Sequence, residues 1–127
     1  MKTKWGQELR CLLNNKLDKL LDSSPGVYQK NTTSLLDIHF TISFDSDGKS
    51  TSTKPHLRIH QVSILKSPGS QHSVFQLVMT ALLRKCQMIH MENLSQYSLQ
   101  FYSVARSMAK KHSHLKIYSN GMTSSLE

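Results

Sequence analysis

The feature that most narrows the fold is a change in the period of the apolar residues along the chain. Leu9, Leu12, Leu13, Leu17, Leu20 and Leu21 recur at spacings of three and four, with Trp5 a turn earlier. Lys16, Asp18, Lys19 and Asp22 fill the other side. This is the stripe of an amphipathic helix over about residues 4–22. Ser23-Ser24-Pro25-Gly26 stops it, because proline cannot continue the hydrogen-bond ladder and glycine suits a helix exit. The period then drops to two. Leu36, Ile38, Phe40, Ile42 and Phe44 alternate with Asp37, His39, Thr41 and Ser43, which predicts a half-buried strand over about 35–44.

A second strand is expected over about 56–65. Leu57 and Ile59 share one parity and Val62 and Ile64 the other, so a bulge near His60-Gln61 is needed to keep all four on one face. After Ser67-Pro68-Gly69-Ser70 the helical period returns. Val74, Leu77, Val78, Ala81, Leu82 and Cys86 form a stripe widened by Phe75, Met79, Leu83 and Met88, predicting a well-buried helix over about 71–90. Leu94, Tyr97, Phe101, Val104, Ala105 and Met108 continue as a helix over about 94–111, and Leu115 and Ile117 suit a short last strand. The expected architecture is α+β: an N-terminal amphipathic helix, a small antiparallel sheet of two to three strands, and two C-terminal helices packed on one face. Residues 1–118 read as a single compact domain and 119–127 as a flexible tail.

A chain of 127 residues suits one hydrophobic core. No run approaches the ~18 apolar residues of a membrane span, and the charged, leucine-rich start is not that of a signal peptide. Two cysteines, Cys11 and Cys86, are too few for a disulfide framework, which fits a reducing intracellular compartment, nucleus or cytoplasm.

Charge separates the two halves. Residues 1–47 carry six Lys or Arg against six Asp or Glu. Residues 48–126 carry ten Lys or Arg against Glu92 alone, with six of the seven histidines, so the net charge of +8 belongs to the second half. Such a field draws polyanions by steering and counterion release.

Motifs for chemistry are lacking. The chain has no Gly-x-Ser-x-Gly elbow, no phosphate-cradling glycine loop and no carboxylate pair in the basic half, so no enzyme and no catalytic residue is expected. Cys86 follows Arg84-Lys85, but a buried helical thiol is the simpler reading. His56 and His60 stand ~13 Å apart if the segment is a strand, and Cys86 with His90 makes half a zinc site, so neither a metal nor another cofactor is expected. Asp45-x-Asp47-Gly48 places its glycine too early for a calcium loop and reads as a turn. Ser70 reads as a helix cap rather than part of an anion site beside Lys66.

The strongest constellation is distributed. His56, Arg58 and His60 alternate on one side of the second strand, and Lys66 closes it. Arg106, Lys110, Lys111, His112, His114 and Lys116 populate the end of the last helix and the segment beyond, interleaved with Tyr97, Phe101, Tyr102 and Tyr118. Lysine and arginine contacts to phosphate, with aromatic platforms, suit nucleic acid or another polyanion. Arg58, His60, Lys66, Arg106, Lys110, Lys111 and Lys116 are the candidate contacts for a non-enzymatic binding module. The element order is similar to that of a double-stranded RNA-binding domain. It departs by lacking a third strand before the helix and by placing Lys110-Lys111 at a helix end, so no family is assigned. The rival reading is a subunit of a homo- or hetero-oligomeric complex, a viral or chromosomal accessory factor, using Leu9, Leu13, Leu17 and Leu20 and exposed sheet edges. A third, a peripheral membrane binder using the leucine face, is weakened by the acids beside its lysines.

Overall fold

Two residues with left-handed backbone, Leu36 (φ 46) and Asp37 (φ 65), fold the alternating segment into a hairpin. They separate β1 (Gln29–Leu35) from β2 (Ile38–Ser46), paired antiparallel from Gln29 opposite Phe44 to Leu35 opposite Ile38. The computed structural model describes residues 4–22, 28–46, 54–91 and 99–117. The hairpin follows α1 (Lys4–Leu21) and precedes β3 (His56–Lys66), antiparallel to β2. Then come α2 (Gln71–Lys85), β4 (Met88–Met91), α3 (Leu99–Ala109) and β5 (Leu115–Ile117). The strands lie in the order β1-β2-β3-β4-β5, and β3, β4 and β5 run parallel.

The sheet is therefore mixed and five-stranded, which corrects the expected antiparallel sheet of two to three strands. Two strands account for the difference. β1 is a polar edge strand, Gln-Lys-Asn-Thr-Thr-Ser-Leu, held by β-favouring threonines rather than by an apolar alternation. β4 lies inside the helix expected over 71–90: α2 stops at Lys85, Cys86 turns extended, and the Gln87 N–H bonds the Pro55 carbonyl at 2.9 Å. The last helix starts at Leu99 among the described residues; 94–98 and the expected tail lie outside them. With β1 in place, three strands do precede α2. That helix opens on Gln71-His72-Ser73 with no lysine and the sheet continues through two parallel strands, so the chain still stands apart from the double-stranded RNA-binding pattern.

The bulge near His60-Gln61 is there. Ser43 pairs with Gln61 but Phe44 with Ile59, leaving His60 as the extra residue, and a second shift leaves Leu65 extra. Leu57, Ile59, Val62 and Ile64 thereby keep to one face, with Phe40, Ile42, Phe44, Ile89, Met91, Leu115 and Ile117 beside them. Both parallel crossovers step the same way along the sheet, so with the usual right hand α2 and α3 cover the same face. They pack on each other and α1 packs on α2, all within one core. Leu9, Leu13, Leu17 and Leu20 belong to that core, at 1% to 8% exposure. The leucine face of α1, one of the two surfaces named in the oligomeric-subunit expectation, is thus turned into the domain's own core, against α2 and β1.

A candidate polyanion-binding face

Period two sends every second residue away from the helices, and the sheet's other face is largely polar, interrupted by Met88 opposite His56 and by the exposed Leu65 at the second bulge. β1 contributes Lys30, Thr32 and Ser34; β2 contributes His39, Thr41, Ser43 and Asp45; β3 contributes His56, Arg58, Gln61 and Ser63. The bulge adds His60 to this face, since it stands between Ile59 and Gln61 without shifting the core side. None of the large buried apolar residues lies here.

Register lines up one row across four strands: Asp45 opposite Arg58, Arg58 opposite His90, His90 opposite Lys116. At the usual strand spacing, Arg58 to Lys116 spans about 10 Å. Arg58 is half exposed and lies 3.7 Å from the Asp45 carboxylate, a weak pair at that exposure. Beside the row, Asp45 Oδ2 is 2.6 Å from His60 Nε2. The His60 ring also meets Tyr28 at 5.4 Å between centroids. Tyr28 precedes β1, so this contact bridges β2, where Ser43 is fully buried without a hydrogen-bond partner. Thr32 and Thr41 share a hydrogen bond of 2.9 Å between their hydroxyls. The β1–β3 half of the face is thus knitted to itself, and the β3–β5 half presents the cations. Among the described residues His60 has Asp45 as its hydrogen-bond partner.

The sequence-predicted residues divide by position. Arg58, His60, Lys66 and Lys116 share the polar face, Lys66 standing opposite His39. Lys66 ends β3, eight residues and about 26 Å beyond Arg58, too far to share a small ligand with it. Arg106 lies on α3 in the helix layer, its guanidinium carbon 5.7 Å from the Tyr102 ring centroid. Lys110 and Lys111 are exposed in the turn leading to β5. Of the aromatic residues, Phe101 is core, edge-on to Phe75 at 5.0 Å, and Tyr97 and Tyr118 lie outside the described residues. Tyr28, 57% exposed, is the large aromatic side chain that the polar face does offer.

Sequence reasoning weighed His90 only beside Cys86 and missed its place in this row, because the expected helix swallowed β4. Its signal was slight: Ile89 between polarizable methionines after an unremarkable Cys86-Gln87.

Several cations are engaged in structure. Parallel strands begin where the preceding helix ends, so Lys54, His114 and the end of α2 gather at one end of the sheet. There the Leu82 carbonyl accepts from the Cys86 N–H at 3.0 Å. The Leu83 carbonyl accepts from His114 Nε2 at 3.0 Å and the Arg84 carbonyl from Lys54 Nζ at 2.8 Å. These close the carbonyls a helix end leaves open and complement its dipole. An open cavity of about 470 Å3 remains between Lys54, Leu83, Cys86, Gln87 and His114. Burial pushes the Cys86 thiol up to about 12, against the pull of Lys54 and Lys85, so it is no nucleophile at neutral pH. Ser70 caps α2, its Oγ accepting from the Ser73 N–H at 3.4 Å. His112 and His114 meet edge-on at 5.7 Å, and among the described residues no three metal-ligating side chains come together. No helix among the described residues is long and apolar enough to cross a membrane. Comparison of the chain with protein-family models, with curated proteins and with solved structures finds no match.

Proposed function

We propose that this protein is a non-enzymatic binding module that engages nucleic acid, or an assembly containing it, mainly through phosphates on the polar face of its sheet. The observation that carries the reading is the cross-strand row Arg58–His90–Lys116 on the face away from all three helices. Its cations stand on rigid strands, and Gln61 and Ser63, further along β3, offer neutral hydrogen-bond donors for sugar and phosphate oxygens. Lys110 and Lys111 extend the charge beyond the end of β5. Among the described residues Tyr28 is the one large exposed aromatic of the face, which favours phosphate contact over base stacking, so affinity exceeds sequence specificity. Two free thiols, Cys11 exposed and Cys86 buried, favour a reducing compartment, nucleus or cytoplasm.

The test is a fluorescence-anisotropy titration with short single-stranded RNA, duplex RNA and duplex DNA across a salt series. The wild-type chain is expected to bind at least one form with a log–log salt slope of several units. Arg58→Glu with Lys116→Glu is expected to weaken binding by about tenfold or more and to lower the slope by about two, one per lost phosphate contact. Lys110→Glu with Lys111→Glu should weaken binding with the fold intact. Unchanged binding in both double variants, or none by the wild type at low salt, overturns the reading.

A further inference from the structure

A second surface, on the far side of the helix layer, is independent of the sheet-face reading. A groove of about 380 Å3 follows α2 where α1 and α3 flank it. Its apolar lining is Leu77, Ala81 and Met108, and Gln76 and Thr80 edge it with neutral polar groups. Leu77, Ala81 and Arg84 succeed each other at three- and four-residue spacing, so they share one face of α2. From Gln76 to Arg84 that face is about 12 Å long, a little over two turns.

Arg10 of α1 and Arg84 of α2 both line this groove. No carboxylate among the described residues does. Arg84 donates from Nη2 to the neutral Asn14 Oδ1 at 3.2 Å, and among the described residues the rest of its guanidinium fork has no carboxylate partner. Arg10 is exposed and has no carboxylate partner among the described residues. The neighbouring Lys85 provides the contrast, because Asp18 Oδ1 lies 2.5 Å from its Nζ. Among the described residues, one cation of this helix pair is neutralised and the two at the groove are not.

We propose that this groove docks an acidic amphipathic helix of a protein partner. Partner carboxylates meet Arg10 and Arg84 as bidentate forks, and an apolar stripe settles on the half-buried Leu77 and Met108, over the buried Ala81. Charge complementarity selects the occupant's acids, and the apolar lining selects a protein over a phosphate backbone. A phosphodiester would satisfy the guanidiniums but leave Leu77 and Met108 in water.

The probe is a fluorescein-labelled helical peptide with glutamates on either side of a leucine stripe, alongside the same peptide with glutamine for glutamate. Anisotropy should show the glutamate peptide binding to the wild-type chain and the glutamine peptide binding about tenfold more weakly. Arg10→Ala with Arg84→Ala should weaken the glutamate peptide by about tenfold and leave RNA binding unchanged. Leu77→Ser should weaken the peptide alone, and Arg58→Glu with Lys116→Glu should leave peptide binding unchanged. A thermal melt by circular dichroism establishes that each variant is folded. The proposal is overturned by no peptide binding, by equal loss in the Arg58 and Lys116 variant, or by loss of RNA binding in the Arg10 and Arg84 variant. The last outcome would make the groove a phosphate surface.

Discussion

The Cys86 thiol sits where α2 ends and the chain turns back into the sheet, 2% exposed and extended in backbone. Desolvation raises its pKa from the ordinary 9.0 to about 12, and the charges of Lys54 and Lys85 offset only part of that. Two consequences follow for this one residue. Under native conditions a thiol reagent at neutral pH should modify Cys11, which is exposed, and reach Cys86 only on unfolding. Two fast-reacting thiols per chain would contradict the burial. The second consequence concerns pH. Above about pH 9 the thiol ionises in the unfolded chain but keeps its proton in the folded one until about 12. The unfolded state then binds fewer protons, so this contribution is complete below about pH 9 and is lost as pH rises from 9 to 12. Cys86→Ala should lack that part of the alkaline loss. Its melting temperature is expected to fall less than the wild type's between about pH 7 and pH 10.5. A parallel fall in the two would show that Cys86 does not contribute.

Among the elements, the β1–β2 turn carries a conflict between sequence and backbone. A two-residue hairpin loop with both residues left-handed ordinarily takes Asn-Gly or Asp-Gly, and here it is Leu36-Asp37. Leu36 recovers its cost by packing against the core, whereas Asp37 is exposed. Asp37→Gly is therefore expected to stabilise the protein by about 0.5–1 kcal/mol, read as a higher urea midpoint at unchanged slope. A lower midpoint would mean that the aspartate side chain holds the turn. The same turn explains why this strand boundary was hard to read. Leu36 continues the alternation of Ile38, Phe40 and Ile42, so the pattern runs straight through the bend. Elements that bury a whole stripe, such as α1 with its leucines, announce themselves, and so did the parity change that marks the His60 bulge. β1 and β4 did not, for opposite reasons. The edge strand buries too little to alternate, and a parallel strand four residues long is too short to show a period. No glycine or proline marks the end of α2; tertiary hydrogen bonds to Pro55 and His114 pull the chain into the sheet. The candidate site was legible to the same extent. Arg58 and Lys116 stood out by charge, but only the parallel pairing of β4 places His90 between them.

For the molecule as a whole, the charge asymmetry invites the idea of a basic domain attached to a neutral one, and the core argues against it. Leu9, Leu13, Leu17, Leu20, Leu21, Ile38, Phe40, Ile42 and Phe44 come from the neutral half and lie in the same cluster as Ile59, Met79, Ile89 and Ile117. The sheet is shared too: β1 and β2 come from one half and β3, β4 and β5 from the other. A chain beginning at Lys54 would expose β3 as a naked edge and lose α1 from beside α2. Each lost large core side chain removes on the order of 2–5 kcal/mol, against a total stability of about 5–15 kcal/mol for a domain, so nine losses cannot be absorbed. The fragment 54–127 is expected to show no cooperative urea transition. Its RNA binding should then lose any preference among nucleic-acid forms while keeping its salt dependence, since the charges remain and the row that orders them does not. A sharp transition in that fragment would mean that the basic half folds alone, and that β1, β2 and α1 are additions to it. Within an intact sheet, by contrast, the neutral half is what holds Arg58 in register: Asp45 and His60 meet across β2 and β3 beside it, and removing either strand removes the row.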